Sequence, residues 1–293
     1  MTQPTDITFM GHMCYDEIHP FGGEPSAAPG SAVLCGAMAA ARVGTRVTVV
    51  TRMSPADEHI LKPMRALGVE CVLIPTPHTT RMRVVHPCED VDVREMDQIA
   101  NAGYMQVQDM PEIESRFVHL AGITDQEFTL ELIQGLRDRG YSVSADMQSF
   151  VRQVDLATHK IRFADVPAKA EITALLDRVK LDVVEAGILT GRQDLEAAAG
   201  QFADWGCGEV VITRANGVLA RVNGETFFEP FTNRSVVGRT GRGDTTFAGY
   251  MARRLTRPPA EALKFAAALV SLKMETPGPF AGTLEDVLKR MAG

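Results

Sequence analysis

The sequence predicts a doubly wound α/β sandwich: a mostly parallel sheet flanked by helices, with a small β lid. Three observations predict it. Short β-branched apolar runs alternate with longer apolar segments that stop at glycine. The alternation breaks once, over residues 75–108, in proline-containing sequence with a period of two. A glycine-rich turn then runs straight into an apolar helix at residues 238–250.

In chain order, residues 7–10 read as a short buried strand ending at Gly11. Residues 30–43, rich in Ala, Val, Leu and Met, read as a buried helix that ends at Gly44, with a strand at 46–50. A helix over 57–67 stops at Gly68, and a strand follows at 71–74. Such alternation puts helices on both faces of a parallel sheet. Residues 75–108 hold Pro77, Pro87, alternating runs and a turn around Ala102. They read as hairpin-like segments outside the main sheet, forming a lid with parts of about 12–29; a long surface loop is the alternative. The rhythm resumes with strand 117–120, helix 126–139 and strand 141–146. After an irregular stretch at 150–167 come helix 171–180, strand 181–184, helix 194–205 and strands 209–213 and 217–222. Helices at 244–255, 259–275 and 283–291 close the chain. Without repeats, low-complexity tracts or a linker, residues 1–293 read as a single domain.

The chain of 293 residues is 45% hydrophobic and 23% charged, ordinary globular values that allow a large core without disulfides or structural metal. A net charge of −7 with no basic stripe argues against a nucleic-acid partner. Five scattered cysteines with no CxxC pair fit a reducing cytoplasm and do not suit a zinc site. The first residues lack signal-peptide character, and the longest apolar stretch, 265–272, is too short to span a bilayer. A cytoplasmic protein without membrane contact is expected.

The chemistry concentrates at residues 238–250. A helix N-terminus offers unpaired N–H groups and partial positive charge. Glycines there let an anion approach closely, which makes a phosphate-sized site. Gly241 and Gly243 supply that approach, and Arg239 and Arg242 add positive charge. Asp244 can take a hydroxyl proton while the amides hold the transferring group. On spacing alone, Asp244 is equally a helix cap and the glycines a shaped turn.

The run resembles the C-terminal signature of the ribokinase-like, or PfkB, carbohydrate kinases, Asp-Thr-x-Gly-Ala-Gly-Asp. Gly241, Gly243 and Asp244 match and Thr240 falls in register. The resemblance implies that Asp244 is the catalytic base and that the amides of residues 241–244 form the anion hole. It also implies ATP and Mg²⁺ as cofactors and a homodimer, since lids in this family often pair between subunits. Gly238 stands where the family usually has Asp, which counts against the monovalent-cation site that many members build beside this loop. Arg242 replaces Ala; it either contacts phosphate or an acidic substrate, or points to solvent.

The resemblance extends along the chain. Asp16, after the first strand, corresponds to the family's substrate-hydroxyl contact; alone it would read as a turn former. Gly30 is what survives of a Gly-Gly substrate motif. Asp182 and Glu185 match an Asn-x-x-Glu segment that organises hydrated Mg²⁺, with Asp182 replacing the Asn; a helix with an acidic first turn is the alternative. Thr213, Arg214 and Gly217 fall in the strand and turn that hold nucleotide phosphates and ribose, where a plain hairpin competes. Ala267 and Ser271 lie on a small-residue helix beside the expected adenine. Asp146, Gln148 and Arg152 follow a strand's C-terminal end, where ligands of open α/β sheets bind. The resulting expectation is ATP-dependent phosphoryl transfer to a hydroxyl of a sugar or polyol. A nucleoside kinase of the same fold, or a non-catalytic sugar- or nucleotide-binding relative, is the alternative.

Overall fold

A computed structural model of the chain describes residues 4–89 and 93–292. Residues 90–92, within the segment expected to contribute to a lid, lie outside the described residues.

The chain opens with β1 (Thr5–Met10), β2 (Cys14–His19) and β3 (Ser26–Gly30), then α1 (Ala32–Arg42) and β4 (Val47–Met53). A 3₁₀ segment, Pro55–Leu61, leads into the one-turn α2 (Lys62–Arg65). The single helix expected at 57–67 is divided because Pro63, which cannot serve a helix interior, sits in the first turn of α2. Next come β5 (Glu70–Pro75), β6 (Thr80–Val85), β7 (Glu95–Ala100), β8 (Ser115–Leu120), α3 (Leu130–Asp138) and β9 (Val143–Asp146). The stretch read as irregular contains α4 (Gln148–Val151) and a small hairpin, β10 (Arg152–Val154) with β11 (Ile161–Phe163). Then follow α5 (Lys169–Ala174), β12 (Arg178–Asp182), α6 (Val183–Thr190), α7 (Leu195–Asp204) and β13 (Glu209–Arg214). Last are β14 (Gly217–Val222), β15 (Glu225–Pro230), α8 (Arg242–Arg254), α9 (Pro259–Met274) and α10 (Leu284–Ala292).

Two boundaries bear on function. The strand expected at 181–184 ends at Asp182, because Asp182 caps α6 with its carboxylate on the amides of Val184 and Glu185. Strand β15 adds to the expected elements; the turn before it, Asn223-Gly224, has positive φ at both residues, 51° and 84°, as a tight hairpin requires.

Nine strands form the main sheet in the order β15-β14-β13-β12-β9-β8-β1-β4-β5. The run from β13 to β5 is parallel, and β14 and β15 extend it antiparallel. Side-chain alternation feeds two cores. On one face Phe9, Val49 and Val211 pack with α1, α8 and α9; on the other Met10, Val50, Val210 and Ile212 pack with α3, α5 and α7. A separate four-stranded sheet, β3-β2-β6-β7, is built by Cys14–His19, Ser26–Gly30, Thr80–Val85 and Glu95–Ala100.

The order reverses at β1: the chain moves from β1 to β4 and β5, then returns to β8 on its other side. Ligands of open α/β sheets bind beyond the strand C-termini at such a reversal.

Candidate active site

The C-terminal ends of β9, β12 and β13 carry Asp146, Lys180 and Thr213. Strand pairing sets Asp146 opposite Lys180 and Asp182 opposite Thr213. Across from them stands the N-terminus of α8. Gly241 caps this helix at φ 77°, a left-handed conformation suited to glycine. A Cβ at Gly241 would lie 2.5 Å from Cys35 Sγ, and one at Gly243 2.7 Å from Lys180 Nζ. Gly241 is therefore fixed by the turn and by close approach, and Gly243 by close approach alone.

Within this turn the Arg242 amide donates to Arg239 O. Among the described residues no protein oxygen takes the amides of Gly241, Gly243 or Asp244. They remain available to an anion at the positive end of a helix of 13 residues. Asp244 is half-buried, and its charge bears on Asp16, Cys35, Asp146, Lys180 and Lys273. The carboxylate therefore faces the middle of the site.

Lys180 lies at the centre. Its ammonium is buried and donates to Asp146 Oδ2 at 2.8 Å. Burial opposes its charge, but Asp146, Glu185, Asp244 and Asp182 outweigh burial and hold its pKa above the ordinary lysine value. Burial pushes Asp146 upward against the pull of Lys180. Sequence reading missed Lys180 because 171–180 reads as one helix, whereas the helix ends at Ala174 and Lys180 lies in β12 between Val179 and Leu181.

Glu185 is fully buried. Its Oε2 accepts from the Asp182 amide at 2.8 Å, closing a capping box, while Oε1 has no partner. An orphaned carboxylate oxygen under the anion site fits a hydrated Mg²⁺. Burial raises the Glu185 pKa, with Lys180 opposing. An acid whose pKa is raised by folding contributes stability below its unfolded pKa of 4.5 and loses it as pH rises through the folded value. Glu185→Gln should therefore melt higher than the parent at pH 8 without Mg²⁺, by about 3 °C, and show no gain near pH 4.5. Calorimetric melts at the two pH values check this.

Asp16 projects from β2, where Cys14 Sγ donates to its Oδ1 at 3.3 Å. Burial raises its pKa and Asp244 adds to this, while Cys14 and Arg152 oppose. Gly30 packs directly against the Asp16 carboxylate, leaving no room for a side chain. The next residue, Ser31, adopts φ 138° while capping α1 through the Leu34 amide. Strain of this kind, of order 1–3 kcal/mol, is characteristic of functional loops. Arg152 reaches the same space; its guanidinium lies 5.7 Å from the Phe163 ring and its buried Nε has no partner.

Several expected contacts have protein partners of their own. Asp146 has one oxygen on Lys180 and the other on the Gln148 amide, so it positions Lys180. The Gln148 side chain donates to Gly122 O. Gly217 is required by packing, since a Cβ there would meet the Phe228 ring at 2.5 Å. Arg214 is exposed and lies over that ring at 5.5 Å. Ser271, fully buried, donates to Ala267 O and accepts from the Thr232 amide. Asp182 has Oδ1 engaged in capping, and Thr213 donates to Leu181 O beside Gly243.

The family model described as pfkB family carbohydrate kinase matches residues 6–286. A cytidine kinase from Thermococcus kodakarensis is 25% identical over 257 residues, 84% of this chain and 87% of that protein. A pyrophosphate-dependent kinase in the ribokinase family, complexed with a pyrophosphate analog and myo-inositol, is 32% identical with a TM-score of 0.88. That match covers 97% of this chain and 99% of the other. Ribokinase from Arabidopsis thaliana, complexed with ribose and ATP, shares 17% identity and superposes with a TM-score of 0.78 over 99% of each chain, a likeness of fold.

Proposed function

The chain belongs to the pfkB family of carbohydrate kinases, and from that premise we propose that it transfers the terminal phosphoryl group of inorganic pyrophosphate to a hydroxyl of a small polyhydroxy compound. The observation carrying this reading is the cradle at the start of α8. It offers open amides beside Lys180, Arg239 and Arg242, while Ser271 and Gly217, expected beside a nucleoside, are engaged in packing. The likeness to a pyrophosphate-dependent kinase supports the same donor. ATP, the donor expected from sequence, is the second reading. Val236 and Val237, 62% and 67% exposed just upstream of the cradle, favour it as an apolar surface for a purine.

Asp244 takes the proton of the acceptor hydroxyl, and the amides of Gly241, Gly243 and Asp244 hold the charge on the transferring group. Lys180 faces the donor phosphates, held by Asp146. Glu185 is the carboxylate that would organise hydrated Mg²⁺, which when bound neutralises donor oxygens. Asp16 and Arg152 orient the acceptor, whose adjacent hydroxyls suit a carboxylate acceptor of hydrogen bonds. The β3-β2-β6-β7 sheet brings Asp16 to the site and serves as a lid that excludes water. Its exposed edge strand β3, and Phe21, 55% exposed in the turn before it, support pairing of two copies through this sheet.

A donor-by-acceptor assay tests the reading. Phosphate release from pyrophosphate should depend on an added polyol, sugar or nucleoside, with kcat/KM at least about tenfold above that with ATP, a difference of roughly 1.4 kcal/mol. Turnover confined to ATP establishes the second reading; no acceptor-dependent turnover with either donor rejects both.

A further inference from the structure

The residues beside the anion cradle do not fit the monovalent cation that many relatives place there. Lys273, in the last turn of α9, is 1% exposed and turns inward. Its ammonium donates to the carbonyl oxygens of both Gly238 and Thr240. At Gly238 a Cβ would overlap Thr276 O and lie 2.7 Å from Lys273 O, so no aspartate can occupy the position. The Gly238 amide donates to Met274 O, which fastens the loop to the end of α9. An alkali ion among these carbonyls would lie against an ammonium of like charge.

We propose that the Lys273 ammonium is a built-in substitute for the monovalent cation and orients the cradle amides. The peptide plane gives the argument. In a trans peptide the C=O and the following N–H point in opposite directions. Holding Thr240 O on Lys273 therefore aims the Gly241 N–H away from α9, towards the cradle, and holding Gly238 O does the same for the Arg239 N–H. Burial lowers the Lys273 pKa, while Cys35 and Asp244 favour the charged form. Lys273 is a positioning residue and touches no reacting atom. The inference rests on the phosphotransferase reading of the cradle.

The test compares choline, Na⁺, K⁺ and ammonium at equal ionic strength. The unaltered enzyme should turn over at the same rate in all four. Lys273→Ala should lose about 10²-fold in kcat in choline, the cost of a misaimed anion-hole donor. About 0.1 M K⁺ or ammonium should restore tenfold or more of that loss by refilling the vacated position. Circular dichroism establishes that the variant is folded. Activation of the parent severalfold by K⁺, or a folded Lys273→Ala as fast as the parent in choline, overturns the proposal. A loss that no cation relieves also overturns it, because a merely structural lysine would behave so. Thallium-205 NMR on the parent needs neither activity nor a variant: Tl⁺ should show no saturable binding, and saturable binding overturns the proposal. Absence of turnover in every buffer, with the Tl⁺ result as expected, rejects the phosphotransferase reading alone.

Discussion

Asp244→Asn should reduce kcat about 10³-fold, within the range a positioned general base contributes, and leave the fold and donor binding unchanged. The carboxamide keeps the size of the side chain and removes its capacity to accept a proton from an attacking hydroxyl. Asp244 lies in the first turn of α8, half-buried, with its charge felt by Asp16, Asp146 and Lys180. Loss of the favourable carboxylate–helix interaction costs about 0.3–1 kcal/mol, too little to unfold the chain. Steady-state rates, a thermal melt and calorimetric titration with the donor separate these effects. A variant with near-parental turnover removes Asp244 from the reaction.

Lys180→Met should damage both stability and catalysis. Methionine fills the volume but removes the charge that Asp146 contacts at 2.8 Å and that Glu185 and Asp244 also face. Breaking a buried pair costs about 3–5 kcal/mol, because the remaining charge stays buried without compensation. In a chain of this size that lowers Tm by roughly 10 °C. The loss has a sign in pH. Without Lys180, the folded-state pKa values of Asp146 and Glu185 rise further. Their stabilisation is then full only below the ordinary carboxylate range and is lost as pH rises. The Tm difference from the parent should be small near pH 5 and large near pH 8. Adding Asp146→Asn removes one stranded carboxylate and should recover part of the Tm, while turnover remains at least about 10²-fold down for want of a charge at the donor phosphates. Unchanged melting at pH 8 contradicts the central position assigned to Lys180.

These residues also mark what a sequence can reveal. The alternation of strands and helices was legible because each element carries its own local pattern, as at Val47–Met53. The glycine turn that leads to Asp244 was legible because loop, glycines and helix are contiguous. Lys180 was not: its role arises from pairing with Asp146, 34 residues away, and from the return of α8 over both. Lys273 likewise acts on carbonyls 33 and 35 positions earlier. Gly217 and Ser271 show the complementary case. Their residue types suit a nucleotide, whereas their positions place Gly217 under Phe228 and Ser271 against the Thr232 amide. The boundary at Asp182 was missed because one carboxylate both ends a strand and caps a helix.

The most direct measurement is a crystal structure with a non-hydrolysable pyrophosphate analogue and a polyol acceptor. The account predicts the terminal phosphonate on the amides of Gly241, Gly243 and Asp244, with Lys180 Nζ beside it. It predicts an acceptor hydroxyl about 2.6–3.2 Å from the Asp244 carboxylate, in line for attack. An analogue seated elsewhere, or an acceptor whose hydroxyls all lie out of reach of Asp244, would contradict it.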